Sequence, residues 1–258
     1  MGMRLIMNNW LKAESIKIKN NILLWISLGL TLLFMIYIVF DPFPYVELKI
    51  PSYLSSVFLL SLTVFGTISF IILGAFLSYE EYSWNTLHLL IGSYSRIKSF
   101  YYKSLYILLV SFFLTVLTTF LSLVLHIYIG APGQIFSIQV FTQIFVVSLI
   151  CFFWGELAFV LSLITKNVMY SVLIVFFISF FEPSIYSHVN EELLKYLIVY
   201  NQKGILALTF SNLIEGSYII VPDLNYPSLT WSIFFQLGLI GAILFIGYQY
   251  IKKCSITS

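Results

Sequence analysis

Apolar residues in this chain arrive in blocks of about twenty, each nearly free of charge, rather than in alternation or in narrow stripes. The first block, residues 22–40 ("ILLWISLGLTLLFMIYIVF"), holds nineteen uncharged residues. At 1.5 Å of rise per residue such a helix extends about 28 Å, close to the hydrocarbon thickness of a bilayer. Asp41, Pro42 and Pro44 end it. Further blocks fall at about 54–78, 104–129, 138–164, 165–182 and 231–251. The pattern predicts an all-α integral membrane protein: six transmembrane helices in a single domain over 1–258, with no soluble domain beside them.

Composition supports this. Hydrophobic residues make up 60% of the 258 positions and charged residues 9%, whereas a soluble domain carries about a quarter charged. Two cysteines, Cys151 and Cys254, give no disulfide framework. The first block is too long for a secretory signal and lacks a small-residue cleavage pattern.

Charge sets the expected orientation. With the N-terminus inside, inner segments hold ten of the thirteen Lys and Arg residues, among them Lys12, Lys17, Arg96, Lys98, Lys103 and Lys166. The outer segments hold only Lys49, Lys195 and Lys203. This positive-inside bias places both termini in the cytoplasm.

Between spans two and three lies a polar island, residues 79–103, expected at the cytoplasmic face. Glu80 and Glu81 open it. Ser83 suits an N-cap and Gly92 a C′ position, so Trp84 to Ile91 reads as two turns of helix. Trp84, Leu87 and Ile91 share one face of that helix, which then lies on the membrane or docks into a partner's groove. A solvated loop with a chance amphipathic turn is the plainer reading. The N-terminal segment 3–21 has a similar pattern, with Met7, Trp10, Leu11 and Ile18 at helical spacing beside Lys12, Lys17 and Lys19. It reads as a helix lying in the interface, or as a simple positive flank.

The longest stretch outside the spans is 183–230. Asn190 suits the cap of a helix starting at Glu191-Glu192, with Leu193, Leu194, Leu197 and Ile198 on one side. After Gly204, "ILALTFSNLI" reads as a second short apolar helix. Such a pair would pack against or dip into the outer leaflet, covering the tops of spans five and six or meeting a membrane-embedded substrate. Within the spans, Glu156 is the notable ionisable residue. A charge at mid-bilayer costs roughly 2.5–3.5 kcal/mol on insertion scales. It is therefore expected to pair with a neighbouring helix or, on a bolder reading, to form a proton or substrate site. His126, near the outer end of span three, reads as structural.

Missing motifs narrow the function. There is no G-x-x-x-x-G-K-[ST] phosphate loop and no H-E-x-x-H, and His88, His126 and His188 are scattered. An intramembrane protease of the Glu-Glu type needs an arginine where Asn85 stands. No catalytic residue is nominated, no cofactor or metal is expected on this chain, and nothing points to nucleic acid. A secondary transporter would show repeated halves or several intramembrane charges.

These features together resemble the permease subunits of type-2 ABC exporters. The likeness rests on six spans, an interfacial N-terminal segment and the loop Glu80-Glu81, Trp84-Asn85-Thr86, Leu89-Leu90, Ser95-Arg96 with Lys103. The family's commoner Gly-Thr step is here Asn85-Thr86. The resemblance implies that Glu80, Glu81, Trp84, Asn85, Thr86, Leu87 and Arg96 form a coupling segment seated on a separate cytoplasmic ATPase. It also implies two ATPase subunits, which carry ATP and Mg, and a second permease chain, identical or homologous. Within the family, "WLKAESIKIKNNILLWI" and "WGELAFVLSLITKN" are similar to small permeases of lantibiotic self-immunity, of the mutacin and epidermin type. Similar small permeases serve bacitracin resistance and the export of other amphipathic peptides. The expectation is an exporter subunit in a bacterial plasma membrane. A membrane protein that sequesters or senses a peptide without transport is the alternative, and an intramembrane enzyme a remoter one.

Overall fold

The computed structural model describes residues 53–83, 96–130, 137–210 and 225–256, with scattered positions between 22 and 33. Among these every regular element is a helix. Helix α1 (Tyr53–Ser61) runs through a π-helical turn (Leu62–Gly66) into α2 (Thr67–Ser83). There follow α3 (Arg96–Ile129), α4 (Ile138–Thr165) and α5 (Val168–Phe181). A 3-10 segment (Glu182–His188) leads to the single turn α6 (Glu191–Leu194), then to α7 (Ile198–Thr209) and α8 (Leu229–Ile256).

Five stretches among the described residues are long and apolar enough to cross a membrane: Leu54–Ser78, Ile97–Ile129, Ile138–Thr165, Val168–Tyr186 and Leu229–Lys253. This is a multi-pass, all-α membrane protein. Of the expected first span, 22–40, only Ile22, Trp25, Ile26, Leu28, Gly29 and Thr31–Leu33 are described, all helical. Thr31 Oγ1 there lies 3.4 Å from Ser69 Oγ of α2. The N-terminal segment 3–21 lies outside the described residues.

Helix α4 is the hub, packing against α1, α2, α3, α5, α7 and α8. Burial separates the inner helices from the outer ones. Some 72% of the most apolar window of both Leu54–Ser78 and α4 is buried, against 33% for α3, 17% for α5 and 22% for α8. The exposed faces of the outer helices carry Phe112, Phe113, Phe120, Phe177, Phe234 and Phe245, a surface suited to lipid or to another hydrophobic chain.

Local sequence explains the ends of α4. Ser137 caps its start, its Oγ accepting from the Val140 amide. At the other end Lys166 takes a left-handed conformation (φ 53°) and its N–H returns to Ser162 O. Asn167 Oδ1 then accepts from the Tyr170 amide and starts α5. The two-residue reversal sets α5 beside α4 and marks one end of the bundle, here the Lys166 end. The other is the Gln143 end.

Three expected boundaries move. The helix that carries span three starts at Arg96, eight residues before the apolar block, because Lys98 and Lys103 sit within the helix instead of interrupting it. Ser83, expected to cap a new helix, is the last residue of α2, since nothing in "YEEY" opposes helix until that point. In 183–230, Asn190 stands before α6 but makes no side-chain cap bond, and the helix lasts one turn. A new helix begins at Ile198 and runs through Gly204, which sits mid-helix rather than between two helices. Residues 211–224 lie outside the described residues.

Candidate functional site

Two polar regions thread the apolar bundle. The first joins α2, α3 and α4 toward the Lys166 end. Gly74 of α2 and Gly155 of α4 meet so closely that a Cβ built on Gly74 would fall 1.9 Å from the Gly155 carbonyl oxygen. Small residues of this kind let membrane helices approach backbone to backbone. Next to Gly155, Glu156 is fully buried, and Ser104 of α3 donates to its Oε1 at 2.7 Å. Its Oε2 has no hydrogen-bond partner among the described residues. Glu156 thus meets a neighbouring helix through a hydroxyl. Six residues further along α4, Ser162 Oγ donates to Ala75 O of α2 at 3.0 Å.

Lys103 of α3 completes this region. It is 1% exposed, and its Nζ donates to the backbone carbonyl of Leu77 in α2. Leu77 precedes the end of α2 by six residues and Lys103 follows the start of α3 by seven. At 1.5 Å per residue both points lie about 10 Å below the helix ends. The two helices that flank residues 84–95 are therefore pinned together two turns beneath that segment. Both are also fastened to α4, α2 by the Gly74–Gly155 crossing and α3 by Ser104–Glu156.

The second region joins α4, the 3-10 segment, α7 and α8. Trp154 Nε1 donates to Gln202 Oε1 at 3.0 Å, and Gln202 Nε2 donates to Gln236 Oε1 of α8 at 3.4 Å. Ser232 Oγ donates to Asn201 Oδ1. Both ends of α7 are held by side chains of other elements. The Glu182 carboxylate accepts from the Ile198 and Tyr200 amides, each at 3.0 Å, which supplies the missing cap at a helix start rich in unpaired N–H groups. Gln139 and Gln143 of α4 both donate to Thr209 O at the opposite end, at 3.1 and 3.2 Å.

These bonds fix how α7 lies. Its Thr209 end sits at Gln143 and its Gln202 at Trp154, eleven residues further along α4. That separation is about 16 Å of helix. Helix α7 therefore runs alongside α4 within the bundle, with its amide-bearing residues turned inward and Asn201 and Gln202 buried.

The sequence matches the ABC-2 family transporter protein description over residues 10–182, more than half of its length. The chain belongs to the ABC-2 transporter family. ABC-2 permeases are membrane components that work with an ABC ATPase and do not hydrolyse ATP themselves. Comparison with curated proteins and with solved structures returns no match.

In this ABC-2 permease the residues expected at the ATPase contact divide. Glu80 and Glu81 occupy the last turn of α2 and Arg96 the first position of α3. The three thus bracket the same segment from its two sides, though their side chains are not among those described. Trp84, Asn85, Thr86 and Leu87, and the helix expected over Trp84–Ile91, lie outside the described residues. Glu156 lies deep in the helix packing, away from the α2–α3 ends. Among the described residues no three His, Cys, Asp or Glu side chains gather as a metal site. His126 is buried, with no partner at Nδ1 among the described residues.

Sequence reasoning missed Lys103, Glu182 and the amides. Lys103 was read as part of a cytoplasmic flank, and Glu182 as the end of a span. The signal for the amides was present: Gln143 and Gln236 interrupt otherwise apolar runs, where an unpaired amide would be costly and so marks a helix contact.

Proposed function

We propose that this chain is the permease subunit of an ATP-driven exporter that removes a lantibiotic or a similar amphipathic antimicrobial peptide from a bacterial membrane. Residues 84–91 receive the movement of a cytoplasmic ABC ATPase, with Glu80, Glu81 and Arg96 at the margins of the contact. Two ATPase subunits and a second permease chain, identical or related, complete the assembly.

The observation that carries the coupling is the clamp beneath that segment. A helix pair tied by Lys103 to Leu77 O, and fastened to α4 by Gly74–Gly155 and Ser104–Glu156, passes a push at the loop into α4 as one body. Helix α4 in turn holds α7 through Trp154, Gln139 and Gln143. A rearrangement of packed helices between two states would then move α7 along with α4. The peptide cargo rests on the likeness of "WGELAFVLSLITKN" to lantibiotic-immunity permeases.

Expression with its ATPase in a lantibiotic-sensitive bacterium tests the cargo. Raised tolerance that disappears when the ATPase cannot hydrolyse ATP is expected. Tolerance that persists with an inactive ATPase would favour sequestration without transport.

A further inference from the structure

A cavity of about 280 Å³ opens between the π-helical turn, α4, α5 and α7. It lies just under the roughly 300–1,000 Å³ of small-molecule sites, so it fits one chain segment with its head group and no folded peptide. Ile150, Val199 and Leu206 give it apolar walls, Trp154 and Gln202 form one side, and Lys203 is the one cation in its lining.

Lys203 adjoins Gln202, which sits at the level of Trp154, far along α4 from Gln143. Lys203 lines the cavity with its Nζ beside Tyr186, the last residue of the Val168–Tyr186 stretch, so a single cation stands where that apolar stretch ends. Among the described residues Lys203 makes no hydrogen bond or ion pair; its Nζ lies 5.6 Å from the centroid of the Tyr186 ring. The nearby Glu182 acts on it through space but makes no contact ion pair with it; its oxygens accept from the Ile198 and Tyr200 amides and the Tyr186 hydroxyl. The ammonium is left to recruit an anion. Glu182 close by offsets part of the ammonium's charge, so a singly charged head meets less repulsion there than a phosphate dianion would.

We propose that this cavity binds the carboxylate end of an aliphatic amphipath, its head on Lys203 and its chain along Ile150, Val199 and Leu206. The chemistry is shared by a fatty acid and by the free C-terminus of an apolar peptide. The site needs the membrane fold alone and stands apart from the coupling to an ATPase.

The test uses the full-length protein in detergent, with tail-brominated dodecanoate as a contact quencher of tryptophan fluorescence. Saturable quenching is expected, with a component missing in Trp154→Phe. Lys203→Gln weakens it about tenfold, the loss of one charge-assisted hydrogen bond, while Lys203→Arg retains it. Displacement by unlabelled dodecanoate alone assigns a fatty acid. Displacement also by an apolar peptide with a free C-terminus, but not by its amide, assigns a peptide end. Quenching that never saturates, that is matched by the brominated alcohol, or that is unchanged in Lys203→Gln with the protein still folded overturns the proposal. None of these readings involves the ATPase, so the site and the exporter reading fail separately.

Discussion

Gly74 and Gly155 touch at the crossing of the two most buried helices, α2 and α4, where a Cβ on Gly74 would lie 1.9 Å from a carbonyl oxygen. A backbone oxygen cannot swing aside as a side chain can. Gly74→Ala is therefore expected to force the helices apart and lower stability by about 1–3 kcal/mol, or more. Gly238→Ala, with nothing within 4 Å of the added carbon, is the control and should be near neutral. Melting of the detergent-solubilised protein measures both, and equal melting temperatures would contradict the crossing.

The carboxylate of Glu182 stands in for a local cap at the start of α7, from sixteen residues upstream. Glu182→Ala should cost about 0.5–2 kcal/mol of local stability. The readout is hydrogen exchange at the Ile198 and Tyr200 amides, which is expected to accelerate in the variant while exchange in α4 stays slow. Unchanged exchange at both amides would mean that α7 holds its start without Glu182.

Ser104 gives Glu156 its hydrogen bond from α3. Ser104→Ala removes that bond from a fully buried carboxyl group and is expected to cost about 1–3 kcal/mol. Glu156→Gln keeps an acceptor for the serine and should cost less. A thermal denaturation series ranks them, and a larger loss for Glu156→Gln would point to a role for the acid itself beyond packing.

Much of the fold was legible from the spacing of charges. Block lengths located the five described spans to within a few residues, apart from the start of α3, because hydrocarbon thickness dictates the number of apolar residues a helix needs. The failures came where the boundary of a helix differs from the boundary of its apolar block. Lys103 looked solvated because it is a lysine beside a basic cluster; its long stem instead reaches a carbonyl of α2 inside the packing. In 183–230, local capping rules favoured Asn190, yet the helix that matters begins at Ile198, where a distant carboxylate captures its amides. Glu156 was visible as an anomaly in an apolar run, but only the folded chain shows that its bond is to Ser104. The expected coupling residues Trp84 to Leu87 rest on sequence alone, bracketed by the ends of α2 and α3.

Lys103 bonds those two helices to each other beneath residues 84–95. Lys103→Met keeps the length of the side chain and removes its donor, so α2 and α3 lose their bond beneath the loop. ATPase binding is expected to survive in this variant, while stimulation of ATP turnover by the permease falls. Full stimulation would show that the pair stays coupled without the bond.

The central claim is that a chain without ATPase motifs is driven through residues 84–91. Affinity purification of the tagged permease from its native membrane, with and without Trp84→Asp and Leu87→Asp together, tests it most directly. The account predicts that an ABC ATPase copurifies with the unaltered chain and is lost from the double variant, although the variant still inserts and folds. An ATPase retained in full with both changes, or none bound to the unaltered chain, would contradict it.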